Sequence, residues 1–217
     1  MQDWWLMESS RLLMHAQRLQ AIAQAGIAYA TSGYDLERYE EIRGISVDLL
    51  QELTDEPREK IIRTFASESG YQTPKVDVRA VLFRGENEIL LVKEKNDQGR
   101  WTLPGGWADV GYSPFEVAMK EAEEETGLRI RAVRLLALYD KRKHPHPPQP
   151  WYVYKAFVRC EIEGGELAQE TAETVGAGWF RAEQLSSLAL STDRVTESQL
   201  VTLFKFASDP NLPALCD

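Results

Sequence analysis

The stretch Leu103-Pro104-Gly105-Gly106-Trp107-Ala108-Asp109-Val110-Gly111 runs into Tyr112-Ser113-Pro114-Phe115-Glu116-Val117-Ala118-Met119-Lys120-Glu121-Ala122-Glu123-Glu124-Glu125-Thr126-Gly127-Leu128. It opens as a glycine-rich loop and continues as a helix. Ser113 is a suitable N-cap and Pro114 fits the first helical position. Gly127 is a suitable C-cap. On a helical wheel of about 100° per residue, Glu124 and Glu125 fall at about −60° and about +40° from Glu121. The expected buried face is Phe115, Ala118, Met119 and Ala122, while Glu116 and Glu123 point elsewhere. Glu121, Glu124 and Glu125 therefore form a stripe along the edge of that face.

Three rules say that this stripe destabilises a metal-free helix. Like charges at these spacings repel. Low dielectric beside a buried edge strengthens the repulsion. The C-terminal half of a helix disfavours anions. Mg²⁺ or Mn²⁺, which prefer oxygen ligands, would resolve the conflict. Without the loop before it and the cap after it, the same run would read as a solvated acidic face.

Outward from this segment, the chain alternates between Lys75 and Phe83. Val76, Val78, Ala80 and Leu82 lie on one side, and Asp77, Arg79, Val81 and Phe83 on the other. Arg84-Gly85-Glu86-Asn87 is a turn, and 88–93 is the returning strand. Further strands are expected at 130–139, 151–162 and 175–180. A last helix is expected from Thr196, which has capping-box spacing to Gln199. Strands and helices mix without regular βαβ repetition, which predicts an α/β (α+β) fold with a mixed sheet.

Residues 1–66 read as helices. Leu12, Ala16, Leu19, Ala23, Ile27 and Ala30 form one stripe, and Thr31-Ser32-Gly33 breaks it. Leu36, Tyr39, Ile42, Ser46, Leu49, Leu50 and Leu53 form a second, with Asp35 as the expected N-cap. A third helix, carrying Ile61, Ile62 and Phe65, is expected from Thr54. So small a helical unit has little core of its own. Its stripes are expected to pack on a second copy of the chain, the alternative being a cap packed in cis. The expected division is 1–66 helical, 67–74 linker and 75–217 catalytic.

The formal charge of −9 argues against a nucleic-acid coat, which rewards a basic face. No apolar run approaches a membrane span. The opening Met1-Gln2-Asp3-Trp4-Trp5-Leu6-Met7-Glu8 lacks the features of a signal peptide, so a cytoplasmic protein is expected. Cys160 and Cys216 make neither a disulfide framework nor a metal clip.

The loop and helix quoted above resemble the Nudix hydrolase signature, G-x5-E-x7-R-E-U-x-E-E-x-G-U with U aliphatic. Gly106, Glu121, Glu124, Glu125, Gly127 and Leu128 match at the correct spacing, and the resemblance covers residues 74–207. It implies an α/β/α sandwich in which Glu121, Glu124 and Glu125, assisted by the Gly106 carbonyl, hold Mg²⁺ or Mn²⁺. It also implies hydrolysis of a diphosphate linked to a nucleoside. Three carboxylates and two divalent ions would leave the site at roughly +1, attractive to a diphosphate. Tyr112 replaces the motif's first glutamate and Lys120 its arginine, so a supporting ion pair is lost as a pair while the ligands stay. Ala122 stands in an aliphatic slot.

The leader 19–24, Tyr34-Asp35-Leu36-Glu37-Arg38-Tyr39, Pro74-Lys75-Val76-Asp77-Val78-Arg79 and Tyr139-Asp140-Lys141-Arg142-Lys143-His144 narrow the resemblance. They are similar to a bacterial Nudix subgroup with an N-terminal helical domain. That subgroup implies a homodimer that cleaves ADP-ribose or CDP-choline. Expected substrate contacts are Arg79, Trp107, Lys141 and His144, each with a plainer alternative: a solvent-facing arginine, a core aromatic, an exposed basic loop. His144 and His146 lack an evident third metal ligand. The general base is left open between Glu121 and a later glutamate, Glu170 or Glu173, with Glu125 also assigned to catalysis. Two rival functions remain: a nucleotide sensor that does not catalyse, and an RNA-processing hydrolase.

Overall fold

The computed structural model describes residues 2–217, with the side chains of 2–8, 64 and 65 left aside. Met1 and the Phe65 side chain thus lie outside the described set. The chain forms two compact units. One comprises 1–74 and 148–152, the other 75–147 and 153–217.

The first unit holds α1 (Gln2–Tyr29), α2 (Gly33–Leu53) and the short α3 (Arg58–Ile61), which runs on as a π turn, Ile62–Ala66. Its core is small: Ala16, Val47, Leu50, Ile61 and Ala66, with Trp151 packed against them. Gly26 lets the helices approach, since a Cβ there would sit 2.4 Å from the Tyr39 ring. Three expectations change. The N-cap of α2 is Ser32, not Asp35, which sits in the first turn. Thr54 caps the end of α2 instead of starting the third helix, its hydroxyl donating to the Leu50 carbonyl at 2.6 Å. The inward line of α1 carries Gln17, Gln20 and Gln24 beside Ala16 and Ala23, while Leu12 is exposed. The glutamine amides find acceptors inside: Gln17 donates to Gln149 O at 2.8 Å, Gln24 to Gly70 O at 3.1 Å and Gln20 to Gln24 Oε1 at 3.4 Å.

The second unit is a mixed sheet between two helices. Its strands are β1 (Lys75–Arg84), β2 (Glu88–Glu94), β3 (Arg100–Thr102), β4 (Gly105–Trp107), β5 (Leu128–Asp140), β6 (Val153–Gly165), β7 (Thr174–Phe180) and β8 (Leu215–Cys216). The order is β3-β2-β1-β6-β5-β8, with β4 on β1 and β7 on β2. β1 runs parallel to β6, and β5 antiparallel to β6. α4 (Pro114–Thr126) covers one face, packing Val117, Ala118 and Ala122 on Val78, Ala80, Leu82, Ala156 and Val158. α5 (Glu197–Ser208) covers the other, packing Leu200, Leu203 and Phe206 with Val81, Leu91 and Phe157. This is the mixed-sheet α/β/α architecture expected. No helix among the described residues is long and apolar enough to cross a membrane.

One irregularity positions the site. β1 pairs with β2 only at Phe83 and Arg84, whereas Asp77–Arg79 pair with β4. The strands splay, and the Leu103-Pro104-Gly105 segment fills the gap, with Ala80 N–H donating to Pro104 O at 2.8 Å. Gly105 adopts φ +143°, and a Cβ there would lie 2.0 Å from Val78 O. Only glycine fits.

Candidate active site

α4 starts and stops where its sequence says. Ser113 Oγ accepts from Glu116 N–H while the Glu116 carboxylate accepts from Ser113 N–H, a complete capping box. Gly127 ends the helix at φ 73°. The buried face is turned toward Glu125: Val117 is buried, and Phe115, expected inside, is 37% exposed. The reason is polar. The Glu125 carboxylate accepts from Gly105 N–H at 2.9 Å, and Thr174 Oγ1 donates to the Glu125 carbonyl at 3.0 Å. Glu125 is thus pulled into the sheet gap and is 2% exposed.

Carboxylate oxygens of Glu121, Glu125 and Glu173 lie within 4.8 Å of one another. Burial pushes Glu125 up to about 8, and nearby Glu94 and Glu121 add to this against Arg79 and the Gly105 N–H. Burial also raises Glu121; Lys120 opposes this, while Glu124 and Glu173 reinforce it. A buried carboxylate that resists ionisation beside two others is a site that gains from a cation. Gly106 lines it closely, since a Cβ there would meet Glu121 Oε2 at 2.9 Å.

The other expected residues are spread around this centre. Glu124 lies outside the three-carboxylate group and is half exposed, held by Lys120 Nζ at 2.9 Å. Lys120 also reaches Glu121 Oε1 at 3.3 Å, so the residue replacing the motif's arginine keeps ion pairs to the acidic stripe. Tyr112 is exposed. Glu170 pairs with Lys95 at 3.2 Å, whereas Glu173 joins the cluster. Arg79 does not face solvent. It is 4% exposed and donates to Asp77 Oδ1 at 2.9 Å and Leu103 O at 3.1 Å. Trp107 is half exposed opposite Asp77. Lys141 is buried and held down to about 7, by burial first and by Lys155 next. His144 stacks on Tyr139 at 4.3 Å and reaches Asp217 Oδ2 at 3.1 Å. His146 is occupied elsewhere, with Nδ1 on Thr192 O at 2.6 Å and Nε2 near the Gln199 amide at 3.1 Å. The two histidines share no ligand role.

Lys155, Glu94 and Arg194 escaped the sequence reading. The signal was present for Lys155. In Val153-Tyr154-Lys155-Ala156-Phe157 it shares the phase of Val153 and Phe157, an inward position where lysine is rare.

With this geometry in hand, the relatives are informative. Residues 73–203 match the NUDIX domain, and residues 10–65 match the domain described as UDP-X-like, N-terminal oligomerisation domain. The chain belongs to the Nudix family of pyrophosphohydrolases. It is 43% identical to YjhB of Bacillus subtilis, provisionally named an ADP-ribose pyrophosphatase, over 96% of this chain and 98% of that one. The structure of a UDP-X diphosphatase is similar over 96% of this chain and 99% of that one, at 32% identity and TM-score 0.60. An ADP-ribose pyrophosphatase from Streptococcus suis matches 67% of this chain and all of its own, at 37% identity and TM-score 0.59.

Proposed function

We propose that the protein hydrolyses the diphosphate of a nucleoside diphosphate linked to X, yielding a nucleoside monophosphate and phosphorylated X. ADP-ribose, UDP-linked compounds and CDP-choline are the substrates to try first, because similar proteins carry the first two in their names. The observation that carries this reading is the convergence of Glu121, Glu125 and Glu173 within 4.8 Å.

These three would hold Mg²⁺ or Mn²⁺, with the Gly106 carbonyl beside them and Glu124 at the rim. The donor set is all oxygen, as hard divalent ions require. When bound, such an ion supplies an acidified water and neutralises charge on phosphoryl oxygens. The residues do the remainder. If Glu121 and Glu125 alone hold the ion, Glu173, exposed at the edge of the cluster, would take the proton from the attacking water; Glu121 is the alternative base if Glu173 is a ligand. Arg79 places a fixed positive charge behind Glu125. Trp107 offers a half-exposed indole to the nucleoside. Lys141 and His144 border the substrate from the turn after β5.

The N-terminal helices would join two copies of the chain. They bury alanines and glutamines while leaving Leu12, Ile22, Tyr34, Leu36 and Ile45 exposed.

The test is a panel of nucleoside diphosphate derivatives read by mass spectrometry, with Mn²⁺ and with chelator. Metal-dependent release of a nucleoside monophosphate is expected. Binding without turnover across the panel would instead favour the sensor reading, which draws on Tyr112 and Lys120.

A further inference from the structure

Glu173 reaches the carboxylate cluster from a different element than Glu121 and Glu125. Those two stand on α4, whereas Glu173 ends the 166–173 loop between β6 and β7. A loop residue on the surface can leave its main chain to water. Here both main-chain groups of Glu173 are taken by protein. Its N–H donates to Thr171 Oγ1 at 3.2 Å, and its carbonyl accepts from Lys95 N–H at 2.9 Å. Thr174 N–H also donates to Thr171 Oγ1 at 3.2 Å, and Thr171 N–H donates to Thr174 O at 3.0 Å.

The hydroxyls carry this pattern on to the helix. The last carbonyls of a helix have no partner within it. At the end of α4, Thr126 O accepts from Ala168 N–H at 2.8 Å and Glu125 O accepts from Thr174 Oγ1 at 3.0 Å. A carbonyl only accepts, so the single hydroxyl proton of Thr174 lies on that bond. Thr171 Oγ1, 3.0 Å from Thr174 Oγ1, is then the donor of that pair. A directed chain results: Glu173 N–H to Thr171, Thr171 to Thr174, and Thr174 to the Glu125 carbonyl. Thr174 is fully buried. Lys95 closes the turn from outside. Its ammonium donates to Thr171 O at 2.6 Å and pairs with Glu170 at 3.2 Å. One lysine thus occupies Glu170 and fixes the turn that presents Glu173.

We propose that Thr171 and Thr174 are positioning residues, which set the Glu173 carboxylate against Glu121 and Glu125 by hydrogen-bonding its backbone to that of α4. This rests on the hydrolase reading and adds to it the groups that keep the two halves of the cluster in register. Neither threonine is one of the three carboxylates. Removing a hydroxyl leaves the Glu173 side chain intact and misplaces it. A carboxylate moved by about 1 Å loses value as a ligand and as a base alike.

The experiment is a double-variant cycle between Thr171→Val and Glu173→Gln in the full-length protein. It is read as kcat and KM on the best substrate of the panel, and as Mn²⁺ affinity by calorimetry. Thr171→Val keeps the shape and removes the hydroxyl. It should lower kcat or Mn²⁺ affinity by about 10- to 100-fold. KM should stay within about twofold, since substrate contacts are untouched. In the Glu173→Gln background the same change should cost less than about twofold. Thr171→Ser, which keeps the hydroxyl, should retain most of the parental value. If circular dichroism shows that Thr171→Val does not fold, Thr174→Val, at a buried position that accepts an apolar side chain, takes its place in the cycle. Equal losses in both backgrounds would mean that the threonine supports only the fold, and would overturn the proposal. Parental kcat and Mn²⁺ affinity in the threonine variant would overturn it too. The hydrolase reading fails separately: if no panel member is turned over, that reading falls, and the Mn²⁺ cycle alone decides for or against the threonines.

Discussion

Glu125 carries two opposed demands. Its carboxylate is buried by the Gly105 N–H contact, and it lies beside two like charges. Glu125→Gln keeps the acceptor for Gly105 and removes a charge. Turnover should fall by more than about 100-fold. The unfolding midpoint of the metal-free variant should be no lower than that of the parent. A near-normal rate would show that Glu125 is not a ligand. Gly106 makes the same point sterically. The nearest atoms a Cβ there would meet are the flexible end of Glu121, at 2.9–3.3 Å. Gly106→Ala should therefore fold, but the displaced carboxylate should weaken Mn²⁺ binding by roughly 10- to 100-fold, measurable by calorimetry. Much of this was legible in the residues: the spacing of Glu121, Glu124 and Glu125, the caps, and the glycines. The sequence offers Glu173 only beside Glu170, as one of two glutamates that could serve as base; the choice between them was not legible, because Glu173 comes from just before β7, 48 positions after Glu125 (173 minus 125). No periodicity links it to the helix.

Among the elements, β1 and β6 are joined by more than their backbone ladder. Asp77 binds Lys155 from β6 and Arg79 from its own strand. Burial would raise Asp77, but the two cations outweigh burial and hold it at about 2, below the ordinary 3.8. A depressed carboxylate contributes stability above its unfolded pKa and loses it as pH falls toward the folded one. The loss therefore lies between about pH 4 and pH 2, and amounts to roughly 2 kcal/mol. Urea midpoints across that window should drop for the parent. Asp77→Asn, already less stable at neutral pH by about 3–5 kcal/mol, should lack that part of the acid slope. The alternation of β1 was readable from sequence. The burial of Asp77 and Arg79 was not, since a polar residue in alternating phase normally faces water, and here Lys155 of β6 and the Leu103 carbonyl meet them inside.

At the level of the whole chain, the helical unit shows how far pattern reaches. The helices and the break at 31–33 followed from periodicity. The inward side of α1 did not, because Gln17, Gln20 and Gln24 are buried there, Gln17 and Gln24 through backbone carbonyls far along the chain. Large apolar side chains remain outside, Ile45 among them at 50% exposure. If two copies meet there, Ile45→Glu should shift the mass seen by light scattering from dimer to monomer with unchanged helical circular dichroism. An unaltered mass would place the contact elsewhere.

Local chemistry is therefore written in the order of residues. Turn glycines, caps, the 3.6-residue period and a spaced run of glutamates each act over a few positions, and they specify the helix, the loop and the family. Long-range placement is not. Which carboxylate completes the cluster, which lysine is driven into the core, and which polar residues lose their water all depend on segments meeting after the sheet has formed. Burial and electrostatics act through space, whereas periodicity acts along the chain.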